Sequence, residues 1–218
     1  MAQKPPSSSG SSSALKTGYL VLYNFVSATL WTAVLGRTVL LFLLRGAPFV
    51  YLGVGAFAKW TQTLAALEVL HSLAGLVRAP PATTLMQVSS RLLLVWPVVD
   101  AAPHLAASPW YAAMLTAWSV TEVVRYSYFA LALAGALPPA LTWVRYSLFY
   151  LLYPVGIASE CVLVYRRAAA AQTSDVQRYF FYAVLAIYVP GSYILFTHMM
   201  KQRRKVMRSL KADGAKSQ

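Results

Sequence analysis

The sequence has 218 residues, of which 58% are hydrophobic and only 11% charged, with a mean hydropathy of +0.54. That balance excludes an ordinary water-soluble domain, where about a quarter of residues carry charge, and long apolar runs with no repeat at a solenoid period point to one membrane domain. A net charge of +13 would suggest nucleic acid in a soluble protein, but seven of the nineteen Lys and Arg lie from Lys201 onward, where a basic tail fixes topology or meets anionic headgroups, so no nucleic-acid partner is expected.

Residues 1–17, beginning MAQKPPSSSGSSSALK, are biased to Pro, Ser and Gly and are expected to form a disordered tail. The stretch lacks the apolar core of a cleaved signal peptide, so the first spanning helix would direct insertion. Six apolar segments follow, at about 19–44, 57–77, 84–102, 110–135, 141–164 and 178–200, each near or above the roughly 20 residues needed to cross the hydrocarbon core. Turn chemistry separates them: RGAP at 45–48, RAPPATT at 78–84, AAPHLAASP at 101–109, GALPPA at 135–140 and the longer polar RRAAAAQTSDVQR at 166–178. The expected fold is an all-α integral membrane protein, a bundle of six transmembrane helices over residues 18–200, followed by a basic tail over 201–218.

Six spans place both termini on one side. With that side cytosolic, it carries Lys4, Lys16, Arg78 and the seven basic residues of the tail, against Arg45, Lys59, Arg166, Arg167 and Arg178 on the other. The excess of positive charge predicts cytosolic termini.

Polar groups within the segments need a reason to be there, because an ionisable side chain at the centre of an isolated spanning helix costs roughly 2.5–3.5 kcal/mol. Arg37, Arg91, Arg125 and Arg145 fall in the spans with Glu68, Glu122 and Glu160, and Asp100 lies near an end. Glu122 and Arg125 share a helix face at i,i+3, with Trp118 one turn earlier, and Gln87 and Arg91 share one at i,i+4. Each reads as a packing pair, or as a source of a guanidinium for a substrate carbonyl or phosphate. His71, His104 and His198 are scattered and Cys161 is the single cysteine, so neither a disulfide nor a metal site is expected, and no cofactor is implied.

The fifth segment differs. Tyr146, Tyr150, Tyr153, Ile157 and Glu160 follow 4-3-4-3 spacing, one stripe of a helix. Pro154 removes a helical hydrogen bond, and Gly156 leaves space beside the backbone for a neighbouring helix or a ligand. Seven residues turn a helix almost twice, so Tyr153 and Glu160 project the same way about 10 Å apart in rise. The pair is either an acid–base site or a structural hydrogen-bonding group.

The blocks GYLVLYNFVSATLW, KWTQTLAALEVLHSLAGLVR, MQVSSRLLLVW, WSVTEVVRYSYF and LTWVRYSLFYLLYPVGIASE, in that order over residues 18–205, resemble the very-long-chain (3R)-3-hydroxyacyl-CoA dehydratases of fatty acid elongation. The resemblance implies that the 18–200 bundle is a dehydratase domain, in which Tyr153 and Glu160 are the catalytic Tyr and Glu. It implies removal of water from a (3R)-3-hydroxyacyl-CoA, with Glu160 as base at C2 and Tyr153 as proton donor to the C3 hydroxyl, or with the roles reversed. Arg91, Arg125, Tyr150, Gly156 or a backbone N–H near Pro154 are candidates to bind substrate or stabilise the thioester oxygen. It further implies acyl-CoA and membrane lipid as ligands, the elongase, the 3-ketoacyl-CoA reductase and the enoyl-CoA reductase as partners, and a multi-pass place in the endoplasmic reticulum membrane. The final AKSQ is not a dilysine signal. A non-catalytic scaffold of the elongation complex and a small lipid transporter are the alternatives; intact Tyr153 and Glu160 disfavour the first, and the absence of a repeat between the halves disfavours the second.

The family is also called tyrosine-phosphatase-like, which HSLAGLVR at 71–78 makes intelligible. It mimics H-C-x-x-G-x-x-R with Ser72 in place of the nucleophilic cysteine, and carries Arg78 where family members commonly have proline. The motif ends a hydrophobic helix instead of forming a phosphate-cradling loop, and a serine without an activating base cannot replace a thiolate, so no phosphatase activity is expected.

Overall fold

The computed structural model describes residues 9–216, and their side chains over 13–210. The described backbone is all helix, turn and loop with no strand. Helices α1 (Ser9–Arg45), α2 (Ala47–Thr63), α3 (Ala66–Leu73), α4 (Pro81–Leu93), α5 (Pro103–Ala106), α6 (Pro109–Leu133), α7 (Pro139–Arg145), α8 (Phe149–Ala169) and α9 (Asp175–Lys216) follow in order. Helix α1 begins inside the stretch expected to be disordered, and residues 1–8 of that stretch lie outside the described residues, as do 217–218 of the basic tail.

The breaks are local chemistry. Gly46, at φ +84°, provides the left-handed turn between α1 and α2, and Pro48 starts α2 at a position where its missing N–H has no cost. At Leu64–Ala65 the chain tightens through Ala65 N–H to the Gln62 carbonyl, 3.1 Å, so α2 and α3 form one nearly continuous rod. Helix α4 runs on into a π-helical segment, Leu94–Asp100, around Pro97; its wider winding shows in the i→i−5 bond from Ala101 N–H to the Trp96 carbonyl, 3.1 Å. A similar tightening at Tyr146–Leu148 joins α7 to α8.

Four helical stretches are long and apolar enough to cross a membrane: Ser13–Arg45, Pro81–Asp100, Pro139–Ala169 and Asp175–Leu210. They contain the expected segments 19–44, 84–102 (all but its last two residues), 141–164 and 178–200. Segment 57–77 corresponds to the end of α2 with α3, where the break leaves neither helix long enough alone. Segment 110–135 forms α6, which is long enough but carries Glu122, Arg125 and many hydroxyl-bearing side chains.

Helix α6 is central, packing on α1, α2, α7 and α8, while α9 packs along α8. The core gathers Trp31 and Val34 of α1, Val50 and Val54 of α2, Leu94 and Val98 of the π segment, Met114, Leu115 and Trp118 of α6, Leu163 and Val164 of α8 and Phe181 of α9. The outside is also apolar: Leu43, Leu44, Leu52, Leu151, Ile187, Val189 and Ile194 all stand exposed. An apolar exterior of this extent is unfavourable in water and suits a hydrocarbon surrounding.

Candidate active site

Helix α8 lies between α6 and α9 and runs antiparallel to both. Trp118 and Ala117 of α6 meet α8 at Glu160 and Gly156; along α9, Tyr188, Ser192 and Phe196 face Glu160, Tyr153 and Tyr150 in turn. Both expected catalytic residues therefore point into the seam between helices. Glu160 accepts two bonds, from Trp118 Nε1–H to Oε1 at 2.8 Å and from the Tyr188 hydroxyl to Oε2 at 2.9 Å. Tyr153 donates its hydroxyl to the Ser192 carbonyl at 3.1 Å, its ring lying 5.9 Å from that of Phe196.

Gly156 is one turn before Glu160 and faces α6. A methyl there would meet Ala117 Cβ and Glu160 Oε1, each at 3.8 Å. The absent side chain keeps open the volume directly beside the carboxylate. Pro154, inside α8, leaves the Tyr150 carbonyl without its helical donor.

The two arginines expected near substrate have other partners. Arg125 donates Nε–H to Glu122 Oε2 at 2.7 Å and grips Glu68 with both terminal nitrogens at 2.9 and 2.8 Å. Arg91 pairs with Glu122 Oε1, and Tyr126 adds its hydroxyl to Glu68. Two guanidinium groups and two carboxylates thus balance across α3, α4 and α6, which is the packing role open to Glu122–Arg125; no bond joins Gln87 to Arg91. The cluster touches the site at one place: the Arg91 guanidinium carbon lies 5.0 Å from the Trp118 ring, on the indole that holds Glu160. Tyr150 is exposed, stacked on Phe149 with centroids 4.3 Å apart, beyond contact with Glu160.

Three neighbours of the pair escape a reading by residue spacing on α8 alone: Trp118, Tyr188 and Ser192. A signal exists for one of them. Tyr188-Val189-Pro190-Gly191 on α9 nearly repeats Tyr153-Pro154-Val155-Gly156 on α8, so each helix sets a tyrosine beside a proline and a glycine.

HSLAGLVR is a helix stop. Gly75, at φ +66°, lets the chain turn back so that Leu76 N–H reaches the His71 carbonyl at 2.8 Å and Gly75 N–H the Ser72 carbonyl at 3.2 Å. The Ser72 hydroxyl donates to the Ala79 carbonyl at 2.6 Å, and His71 Nε2 is bonded to the Tyr19 hydroxyl at 2.7 Å. Neither side chain faces a cradle of backbone N–H groups.

The family model described as "Protein tyrosine phosphatase-like protein, PTPLA" matches residues 62–209. The "Probable very-long-chain (3R)-3-hydroxyacyl-CoA dehydratase" of Schizosaccharomyces pombe is 43% identical over 198 residues, 89% of this chain and 95% of the relative. The "Very-long-chain (3R)-3-hydroxyacyl-CoA dehydratase PASTICCINO 2A" of Oryza sativa subsp. japonica is 39% identical over 93% of this chain and 99% of its own length. The "Very-long-chain (3R)-3-hydroxyacyl-CoA dehydratase 2" of Homo sapiens is 33% identical over 88% and 82%. No solved structure matches this one. With a matched stretch that includes α8, most of α9 and the Tyr153–Glu160 seam, the chain belongs to the protein tyrosine phosphatase-like, PTPLA, family, alongside relatives named as very-long-chain (3R)-3-hydroxyacyl-CoA dehydratases.

Proposed function

We propose that this protein is a hydro-lyase that converts a (3R)-3-hydroxyacyl-CoA to the trans-2-enoyl-CoA, the dehydration step of very-long-chain fatty acid elongation, with Glu160 and Tyr153 as its acid–base pair. One observation carries the assignment of roles. Glu160 accepts at both oxygens, as a carboxylate does, whereas Tyr153 donates. Among the described carboxylates of the interior, Glu68 and Glu122 are held by arginines, and Glu160 is held only by neutral donors. A carboxylate with no cation on it keeps its lone pairs for a substrate proton.

In the reaction, Glu160 takes the C2 proton made weakly acidic by the thioester, the C2–H electrons form the C2=C3 bond, and the C3–O bond breaks. Tyr153 protonates the departing oxygen, which leaves as water; transfer of the proton from Glu160 back to the tyrosine oxygen resets the pair. Trp118 and Tyr188 hold the carboxylate, and the space at Gly156 admits the C2–C3 fragment beside it. Arg125, engaged with two carboxylates, is not part of this chemistry. Arg91 acts through Trp118, and Tyr150 lies on the route from the bundle end.

The fold supports the wider reading. Lys16 Nζ reaches the Gly75 carbonyl, and Arg203 reaches Ser147, so the start of α1, the α3–α4 turn, the α7–α8 turn and the C-terminal part of α9 meet at one end. At the other end Lys59 pairs with Asp100, and Arg178 with Asp175. Arg45, Arg166 and Arg167 stand at that end without a described carboxylate, but the first end holds more uncompensated cations, among them Lys16, Arg78, Arg203, Arg204, Lys205 and Arg208, which supports cytosolic termini. The proposal is accordingly six spans over 18–200, comprising α1, α2–α3, α4 with its π segment, α6, α7–α8 and α9, with a basic cytosolic tail over 201–218. It places the chain in the endoplasmic reticulum membrane with the elongase and the two reductases of the cycle as partners, and the acyl chain among the helices.

The test is turnover of 3-hydroxyacyl-CoA by purified protein beside Tyr153→Phe and Glu160→Gln. The proposal expects enoyl-CoA from the wild type and a loss of at least about 100-fold in each variant. An inactive wild type, or variants turning over at the wild-type rate, would sink it.

A further inference from the structure

At the end of the bundle that holds the α7–α8 turn, two guanidinium groups lie over aromatic rings without a described carboxylate. The Arg145 carbon lies over the rings of Tyr128, Phe129 and Tyr146, at 4.6, 4.7 and 5.7 Å from their centroids. The Arg203 carbon lies 5.4 Å from the Tyr150 ring, and its Nε–H donates to the Ser147 hydroxyl at 3.2 Å. Neither forms an ion pair among the described residues, and every carboxylate whose side chain is described is engaged elsewhere, by Lys59, Arg91, Arg125, Arg178 or the Trp118 and Tyr188 donors. An aromatic face behind a guanidinium steadies the charge without occupying its in-plane N–H donors, the arrangement that suits a phosphate oxygen.

Position adds to chemistry. Arg145 belongs to the α6 side of the α8 seam, through Tyr128 and Phe129, and Arg203 comes from α9. The same two helices hold Glu160 through Trp118 and Tyr188. Thirteen residues separate Ser147 from Glu160, about 20 Å of helical rise. A thioester at Glu160 would thus have its pantetheine arm running past Tyr153 and Tyr150 toward Arg145 and Arg203, with the phosphates of CoA at its far end.

We propose that Arg145 and Arg203 form a phosphate clamp for the CoA moiety of the substrate, at the basic end of the seam whose deep part holds Tyr153 and Glu160. The proposal rests on the dehydratase reading. It gives these residues a binding role and no part in proton transfer.

A membrane lipid's phosphate offers the same chemistry, so the test separates the two sources. Full-length protein in zwitterionic detergent is assayed on a 3-hydroxyacyl-CoA and on the matching 3-hydroxyacyl-pantetheine thioester, which lacks the phosphates. Wild type is compared with Arg203→Gln, Arg145→Gln and Arg145→Lys. The clamp predicts that wild type favours the CoA thioester in KM by about ten-fold or more, the effect of one charge-assisted contact. It predicts that the preference collapses toward one in either glutamine variant and partly survives in Arg145→Lys. A wild type indifferent to the phosphates, or a preference intact in Arg203→Gln, overturns it. Arg203 lies on the helix surface, so its variant reports even where Arg145→Gln does not fold. Loss of activity on both thioesters only in vesicles containing anionic lipid would assign the arginines to headgroups and overturn the CoA clamp. Were wild type to turn over neither thioester, the dehydratase reading fails and the clamp is judged on free CoA: weaker binding by Arg203→Gln upholds it, unchanged binding overturns it.

Discussion

Glu122 and Glu160 carry the same carboxylate and both adjoin Trp118, one through Arg91 and the other by a direct hydrogen bond, yet their partners differ. Glu122 compensates Arg91 and Arg125 together, so Glu122→Gln leaves two guanidiniums with one remaining anion, Glu68. That change is expected to cost roughly 3 kcal/mol, the lower part of the range for a broken buried pair because both arginines keep about a quarter of their side chains exposed. A lowered thermal midpoint in detergent would record it; an unchanged midpoint would contradict the network. Glu160→Gln removes no ion pair and should leave the midpoint near wild type while abolishing turnover. The donors on Glu160 can be tested separately. Trp118→Phe and Tyr188→Phe each delete one hydrogen bond to a charged acceptor, and a fall of about 10- to 100-fold in kcat with little change in fold is expected of each. Equal rates in wild type and both variants would show that the carboxylate needs no such support.

At the scale of the helix, Gly156 separates stability from function. An interior glycine costs a helix about 1 kcal/mol relative to alanine, and a methyl added at this position meets its nearest neighbours only at ordinary contact distance, 3.8 Å. Gly156→Ala should therefore fold as well as wild type or slightly better, while losing activity because the methyl fills the space beside Glu160. Full activity in that variant would mean that the substrate does not pass there. Spacing along one helix was enough to put Tyr153 and Glu160 on a common stripe, because side chains seven apart coincide on any α-helix. It could not find Trp118, Tyr188 or Ser192, since partnership across helices depends on which helices pack and in what register. The stripe itself is shorter than its spacing implied: the chain tightens at Tyr146–Leu148, so Tyr146 turns toward Tyr128 on α6 and leaves the line of Tyr150, Tyr153 and Glu160. Similar limits apply to Arg91, whose i,i+4 spacing suggested Gln87 while the stronger electrostatic partner lay on α6 at Glu122. The phosphatase-like block was legible both in its chemistry, from Ser72, and in its place at the end of an apolar helix; the left-handed turn at Gly75 supplies the geometry of that stop.

Across the whole molecule, composition revealed a helical membrane-type domain because an apolar exterior cannot be hidden in sequence statistics. The boundaries blurred where α6, at the centre, carries the polar groups that serve the interior, and where α2 and α3 share a span across a tightened turn. The six-span proposal can be checked by single cysteines in a Cys161→Ser background. Cysteines at Lys16 and Arg78 should react with an impermeant reagent from the cytosolic side, and those at His104 and Gln172 from the opposite side. Labelling of all four from one side would break the topology. The basic end would then no longer be the entrance for a cytosolic CoA ester.

Residue, helix and bundle all bear on the proposal that Glu160 takes the proton in a dehydration. It is tested most directly by the rate at which purified protein forms trans-2-enoyl-CoA from (3R)-3-hydroxyacyl-CoA, measured for wild type and Glu160→Gln at equal amounts of folded protein. With Glu160 as the base, steady product is expected from the wild type and essentially none from the variant. Equal product from both, or none from a folded wild type, would contradict it.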